Sequence, residues 1–188
     1  MRLLVVVDMQ NDFIDGSLGS DSAKSIVPNV VNKIRNADKD TLVAFTMDTH
    51  FSDYSETLEG KMLPVKHCLN NSEGWRINRD VANAWFEFTG MIIHEPEFRE
   101  NNAIIKTTFG SLNLMNFLLR EGKTFDEIEF VGLLSEICVI SNVLMTRAAL
   151  PDMPIIVDAS CCAGATPEKH KAALEVMKSC QIEIINEV

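Results

Sequence analysis

A chain of 188 residues with 46% hydrophobic content is long enough to bury one good core and short for two, so one domain over 1–188 is expected. The formal net charge of −10, with acidic residues spread along the chain, favours solubility and argues against nucleic acid or an anionic membrane as a partner. The opening "MRLLVVVDMQ" holds an apolar run that stops at Asp8, too short for a secretory core or a bilayer span, and five irregularly spaced cysteines suit a reducing compartment. A cytoplasmic location and free thiols are the resulting expectations.

In chain order, strands are predicted over 3–7, 42–47, 103–106, 128–133, 155–158 and 182–185, and helices over 23–37, 111–121, 137–150 and 167–180. Such alternation predicts an α/β chain: three layers, α/β/α, around a six-stranded, mainly parallel sheet. The segment 49–102 breaks the rhythm, with a short helix expected near 80–88 and "MIIHEP" readable as strand or loop. An insertion of that length after one strand is more often functional than idle, and it is expected to carry a metal site and a lid.

Ligands of open α/β sheets bind outside the carboxyl ends of the strands. The first strand ends at Asp8, the second at Asp48 with His50 beyond, the third at Lys106, and the fourth runs into the loop bearing Cys138. Each has an ordinary alternative. Cys138 lies between Ile137 and Val139 and is either apolar filler or a nucleophile. With Ser135 as N-cap it falls in the first helical turn, where the helix dipole is expected to ease its ionisation. Asp8 either caps the following turn or acts as a general base, and Lys106 either snorkels to the surface or steadies negative charge in the crevice. Acid, amine and thiol at one sheet edge favour the reactive readings.

A second cluster joins "MDTH" to "VKHC". Asp48 and His50, two apart on an extended segment, point the same way; His67 returns from the insertion, and Glu59 is a fourth donor. An Asp/His/His set suits zinc or a similar first-row divalent ion, although a D-x-H pattern is short and often accidental.

Together, "VVVDMQNDF", "FTMDTHFSDY", "LPVKHC", "IIKTTFGS" and "GLLSEICV" give a chain that resembles the isochorismatase-like cysteine hydrolases, in particular their metal-containing, nicotinamidase-like branch. The resemblance runs from the first strand through the cysteine turn and implies the isochorismatase-like, Rossmann-like fold. It implies Asp8, Lys106 and Cys138 as catalytic triad, Asp48, His50, His67 and Glu59 around a metal (zinc first, manganese or iron next), and Phe13, Leu63 and Phe109 as substrate walls. It further implies a cis peptide between Leu133 and Leu134, with the backbone N–H groups of Leu134 and Cys138 as oxyanion donors. The implied reaction is hydrolysis of a small heteroaromatic carboxamide such as nicotinamide through a cysteine thioester, by a homo-oligomer. In that branch the metal binds the substrate's ring nitrogen.

The chain departs from the branch in three places: "HCLNNSEGW" where a Gly-Thr pair often follows the third ligand, Ser135-Glu136 where relatives have Thr-Asp, and Leu63 where a larger ring is expected. Glu136 beside Cys138 is expected to raise the thiol's pKa unless it faces solvent. Cys161 and Cys162 are read as loop or core packing after the fifth strand, Cys68 and Cys180 as structural, and His94 and His170 as outside the cluster. Two other functions remain open: a related hydrolase acting on a carbamoyl or ureido compound, and a non-catalytic metal-bound binder of a small ligand.

Overall fold

Parallel strands covered on both faces read as unbroken apolar runs, and "LLVVV" does so because its strand lies inside the sheet. In the computed structural model, which describes residues 1–90 and 103–187, β1 (Arg2–Val7) pairs with β2 (Thr41–Asp48) on one side and β4 (Glu127–Leu133) on the other. With β3 (Ala103–Lys106), β5 (Ile155–Ala163) and β6 (Glu183–Ile185), the order is β3-β2-β1-β4-β5-β6, and every pairing is parallel rather than mainly so.

Helices α1 (Asn11–Ile14), α2 (Asp21–Arg35) and α4 (Arg79–Thr89) bury Phe13, Ile26, Val30 and Trp85 against Leu4, Val6, Phe45 and Val131. On the other face α5 (Leu112–Glu121), α6 (Ile140–Ala149) and α7 (Pro167–Ser179) cover Leu3, Val5, Val7 and Phe130. Alternate β1 side chains thus enter opposite cores, as the two-residue strand period requires. Starts are set locally: Ser20, Ser111 and Thr166 each accept a first-turn N–H, and Pro167 occupies the first turn of α7, where its missing donor costs nothing.

Between β2 and α4 lie a 3₁₀ turn (Tyr54–Glu56) and α3 (Leu58–Met62). The helix expected near 80–88 is α4; "MIIHEP" and His94 lie outside the described residues. Two local expectations need correction. The helix expected from 137 begins instead as a π turn (Ser135–Val139) capped by Leu134, so Ser135 is not its N-cap. Cys161 and Cys162 pack in the cores, as one of the two readings had it, but they lie within β5 and not after it, because that strand continues alongside β4 past a register shift; both are buried free thiols.

Gly132 is required where β4 meets β1. Its φ is +119°, and a Cβ there would sit 2.1 Å from the Val7 carbonyl oxygen. One residue later the Leu133–Leu134 peptide is cis, in agreement with the expectation.

Candidate active site

Register brings the first reactive groups together. Asp48 and Lys106 close β2 and β3 as paired neighbours, so their side chains leave the sheet side by side. Asp8 follows β1 with φ +48°, a left-handed turn that asparagine and aspartate tolerate better than most residues. The fully buried Lys106 ammonium lies 2.8 Å from Asp8 Oδ2, 3.2 Å from Asp48 Oδ1 and 3.5 Å from Cys138 Sγ, and donates to the Thr108 carbonyl at 3.0 Å. Thr46 donates its hydroxyl to Asp8 Oδ1 at 2.7 Å.

Burial, followed by the Asp8 charge, raises the Cys138 thiol well above its usual range despite Lys106. This corrects the expectation of an easily ionised thiol: desolvation and a facing carboxylate outweigh the helix terminus and the ammonium. Burial likewise raises Asp8, against the pull of Lys106. Lys106 is held charged, since Asp8, Cys138 and Asp48 together overcome its burial. Burial thus makes both the thiolate and the carboxylate of this pair stronger bases than their exposed counterparts.

On the far side of Asp48, His50 Nε2 lies 3.0 Å and His67 Nε2 3.5 Å from its Oδ2, and both nitrogens lie 3.6 Å from Glu59 Oε1. These four donor atoms fall within 4.8 Å of one another. His67 Nδ1 faces the Val65 carbonyl at 2.9 Å, which leaves Nε2 toward the cluster. Burial, and then the Asp48 charge, raise Glu59, while Asp48 is held well below the carboxylate range because its hydrogen bonds from His50 and His67 and the Lys106 charge outweigh burial. Two carboxylates and two imidazoles facing one buried point fit a first-row divalent cation by donor type and spacing.

Of the expected walls, Phe13 is buried with its ring 5.5 Å from that of His67. Leu63 and Phe109 are 38% and 45% exposed; their carbonyls accept from Tyr54 (2.8 Å) and Asn142 (3.2 Å). Glu136 turns from the thiol, its Oε1 accepting the Ala165 N–H at 3.0 Å. The Leu134 carbonyl accepts from the N–H groups of Ile137 (3.0 Å) and Val139 (3.1 Å), folding the chain around Cys138.

Sequence reasoning missed the side chains that fix these groups. Buried Gln10 accepts the Asp48 N–H at 2.8 Å and donates to the Asp48 carbonyl at 2.9 Å and the Trp75 carbonyl at 2.7 Å. Its place two residues after Asp8 was the available signal, since a buried amide must find partners. Asp12 accepts the Cys68 N–H at 2.7 Å, and Trp75 Nε1 donates to Thr49 at 2.7 Å. These bonds tie "HCLNNSEGW" to α1 and to the residue that follows β2, without a Gly-Thr pair. Tyr54 fills the space behind the imidazoles, its ring centroid 4.6 Å from that of His50 and 5.3 Å from that of His67.

Residues 2–187 match the family described as Isochorismatase domain. A probable inactive nicotinamidase of Arabidopsis thaliana is 29% identical over 94% of this chain and 87% of its own length. The nicotinamidase/pyrazinamidase of Mycobacterium tuberculosis is 25% identical, with 98% of each chain covered. Among solved structures, Pyrococcus horikoshii pyrazinamidase in complex with zinc superposes with a TM-score of 0.76 at 25% identity, covering 99% of both chains. Streptococcus mutans pyrazinamidase/nicotinamidase gives 0.81 at 21% identity over 98% of this chain and 100% of its own, a likeness of fold.

Proposed function

The chain belongs to the isochorismatase family, and from that premise we propose that it hydrolyses a small heteroaromatic carboxamide, with nicotinamide first, to the acid and ammonia. The observation that carries the proposal is the Lys106 ammonium, which touches Asp8, Cys138 and Asp48 at once and so joins a thiol–carboxylate pair to a metal-type donor cluster.

In the proposed reaction Asp8 takes the proton of Cys138 as Sγ attacks the amide carbonyl, and the backbone N–H groups of Leu134 and Cys138 receive the oxyanion. Asp8 returns the proton to the departing ammonia, leaving a thioester. Asp8 then draws a proton from water, hydroxide adds to the acyl carbon, and the thiol leaves with that proton as the acid is released. Throughout, Lys106 offsets the negative charge that passes between sulfur and carboxylate. Asp48, His50, His67 and Glu59 would hold a divalent ion, zinc before manganese or iron, which when bound would supply a Lewis-acidic anchor for a ring nitrogen. Phe13, Leu63 and Phe109 are proposed to flank the ring.

We read the whole chain as one domain of this family. A cytoplasmic place is supported by the free cysteines. Among the described residues no helix is long and apolar enough to cross a membrane. A homo-oligomer is supported by the exposed Leu58, Met62, Leu112 and Leu119.

The test is ammonia release from a panel of carboxamides and ureido compounds by the wild type and Cys138→Ala. Release from nicotinamide by the wild type alone is expected. Equal release by both proteins would remove the nucleophile assignment, and turnover confined to ureido compounds would move the substrate class. The probable inactive Arabidopsis relative favours a second reading, a non-catalytic binder. That reading predicts saturable nicotinamide binding with no ammonia from any compound.

A further inference from the structure

The turn that carries Cys138 is moored on two sides. On one, buried Asn142 donates to the Cys138 carbonyl at 2.8 Å and the Phe109 carbonyl at 3.2 Å, and accepts the Ser111 N–H at 2.9 Å. On the other, the loop from β5 into α7 and the first turns of α7 take hold of the two residues at the head of the turn. Ser135, fully buried, places Oγ 2.7 Å from His170 Nδ1, and Glu136 Oε1 accepts the Ala165 N–H at 3.0 Å. Among the described residues α7 contributes no group to the triad or the donor cluster, so the reaction as drawn leaves this second mooring without a task.

We propose that His170 and Glu136 are positioning residues that hold the Cys138 turn in line with Asp8 and Lys106, His170 acting through Ser135 and Glu136 through the Ala165 backbone. The inference rests on the amidohydrolase reading for its consequence, though its geometry stands without it. Ser135 and Glu136 precede Cys138 by three and two residues within one turn, so a shift at either is passed to Sγ. The thiol has little room to absorb it: Lys106 is 3.5 Å away, and the same ammonium is fixed by Asp8 and Asp48.

Two features show a built contact. A buried hydroxyl must be partnered, and His170 supplies the partner across 35 positions of sequence. Gly164 is also matched to the carboxylate: a Cβ there would lie 2.7 Å from Glu136 Oε2 and 2.8 Å from the His170 backbone nitrogen. The second carboxylate oxygen is buried with no hydrogen-bond partner among the described residues. That placement costs solvation and is tolerated where the carboxylate holds something else in place.

The test uses the zinc-loaded full chain and the variants His170→Leu and His170→Asn, the latter keeping a polar group near the Nδ1 position. The readouts are the alkylation rate of Cys138 by iodoacetamide, kcat and KM on the best amide, melting temperature and zinc content. His170→Leu is expected to slow alkylation and kcat by roughly 10- to 100-fold, the scale of a small misplacement of a reacting group, with KM and zinc content unchanged. His170→Asn should recover most of both rates. Wild-type rates in His170→Leu would overturn the proposal. So would equal losses in both variants accompanied by a matching fall in melting temperature, the mark of a purely structural contact. If His170→Leu does not fold, Glu136→Gln and Glu136→Leu decide the matter, because Gln retains the acceptor for Ala165; equal rates in the two would overturn it. If the wild type hydrolyses no amide, the substrate reading fails while the alkylation rates still decide this one.

Discussion

Two lysines, the part-exposed Lys33 and the buried Lys106, are each held between two carboxylates, and Lys106 also lies 3.5 Å from a thiol. Lys33 on α2 lies 2.7 Å from both Glu129 and Asp158; Lys106 lies 2.8 Å from Asp8 and 3.2 Å from Asp48. The difference lies in what else the carboxylates hold. Asp158 Oδ1 accepts from the Ser160 N–H (3.0 Å) and hydroxyl (2.7 Å), and Oδ2 accepts from Asn186 at 2.9 Å. Burial pushes that carboxyl up, but Lys33, Ser160 and Asn186 outweigh it and hold it low. Asp8 has the Thr46 hydroxyl on one oxygen and the ammonium by the other, with a thiol nearby, and it is raised. A fully solvated-by-protein carboxylate is inert, whereas an under-supplied one beside an S–H is a base. An ion pair therefore does not identify a site; the donor count around its acid does.

The comparison can be broken most sharply at the thiol. Cys138→Ala should cut turnover on the order of 10³- to 10⁶-fold, the scale for losing a covalent nucleophile, as ammonia release would show. Lys106→Met removes the cation from two buried acids; the expected result is a loss of about 3–5 kcal/mol in denaturant unfolding, with kcat down roughly 10²- to 10³-fold. His67→Ala should bring bound zinc to substoichiometric levels by elemental analysis, with the melting temperature of the metal-free protein little changed. Lys33→Met, by contrast, should cost about 1–3 kcal/mol of stability and leave kcat at the wild-type value, because it strips partners from acids outside the proposed site. A fall in kcat matching that of Lys106→Met would erase the distinction.

The smallest effect concerns pH. A depressed acid such as Asp158 stabilises the fold above its unfolded pKa of about 3.9, and that contribution is lost as pH falls through the lower folded value. Asp8 has the opposite sign: its folded pKa is raised, so charging it costs stability as pH climbs through that value. Thermal melts should show Asp158→Asn trailing the wild type at pH 6 and converging on it as pH falls below the ordinary carboxylate range, whereas the difference for Asp8→Asn should move in its favour as pH rises. Parallel curves for the two variants would count against the contrast.

Much was legible because parallel strands carry a one-dimensional signal. Continuous apolar runs located all six strands, and their carboxyl ends gave Asp8, Asp48, Lys106 and the Cys138 turn in chain order. His50, His67 and Glu59 were visible as metal-type residues in the insertion. The positioning groups were not legible in the same way: Gln10, Asp12 and Asn142 are amides and a carboxylate whose partners lie 38, 56 and 33 positions away, and no spacing rule encodes such pairings. The thiol's ionisation was misread for a related reason, since the dipole of a turn is local in sequence while desolvation and the Asp8 charge come from neighbouring strands.

By itself, the sequence determined which elements form, which faces they bury and which reactive side chains end the strands, because periodicity and residue type act over a few neighbours. Only the tertiary structure decided that Lys106 reaches three partners at once, that Glu136 turns from Cys138 to Ala165, and that Ser135 meets His170 instead of capping its own turn. Those outcomes depend on distances between strands and loops far apart in the chain, set by sheet order and packing rather than by any local pattern.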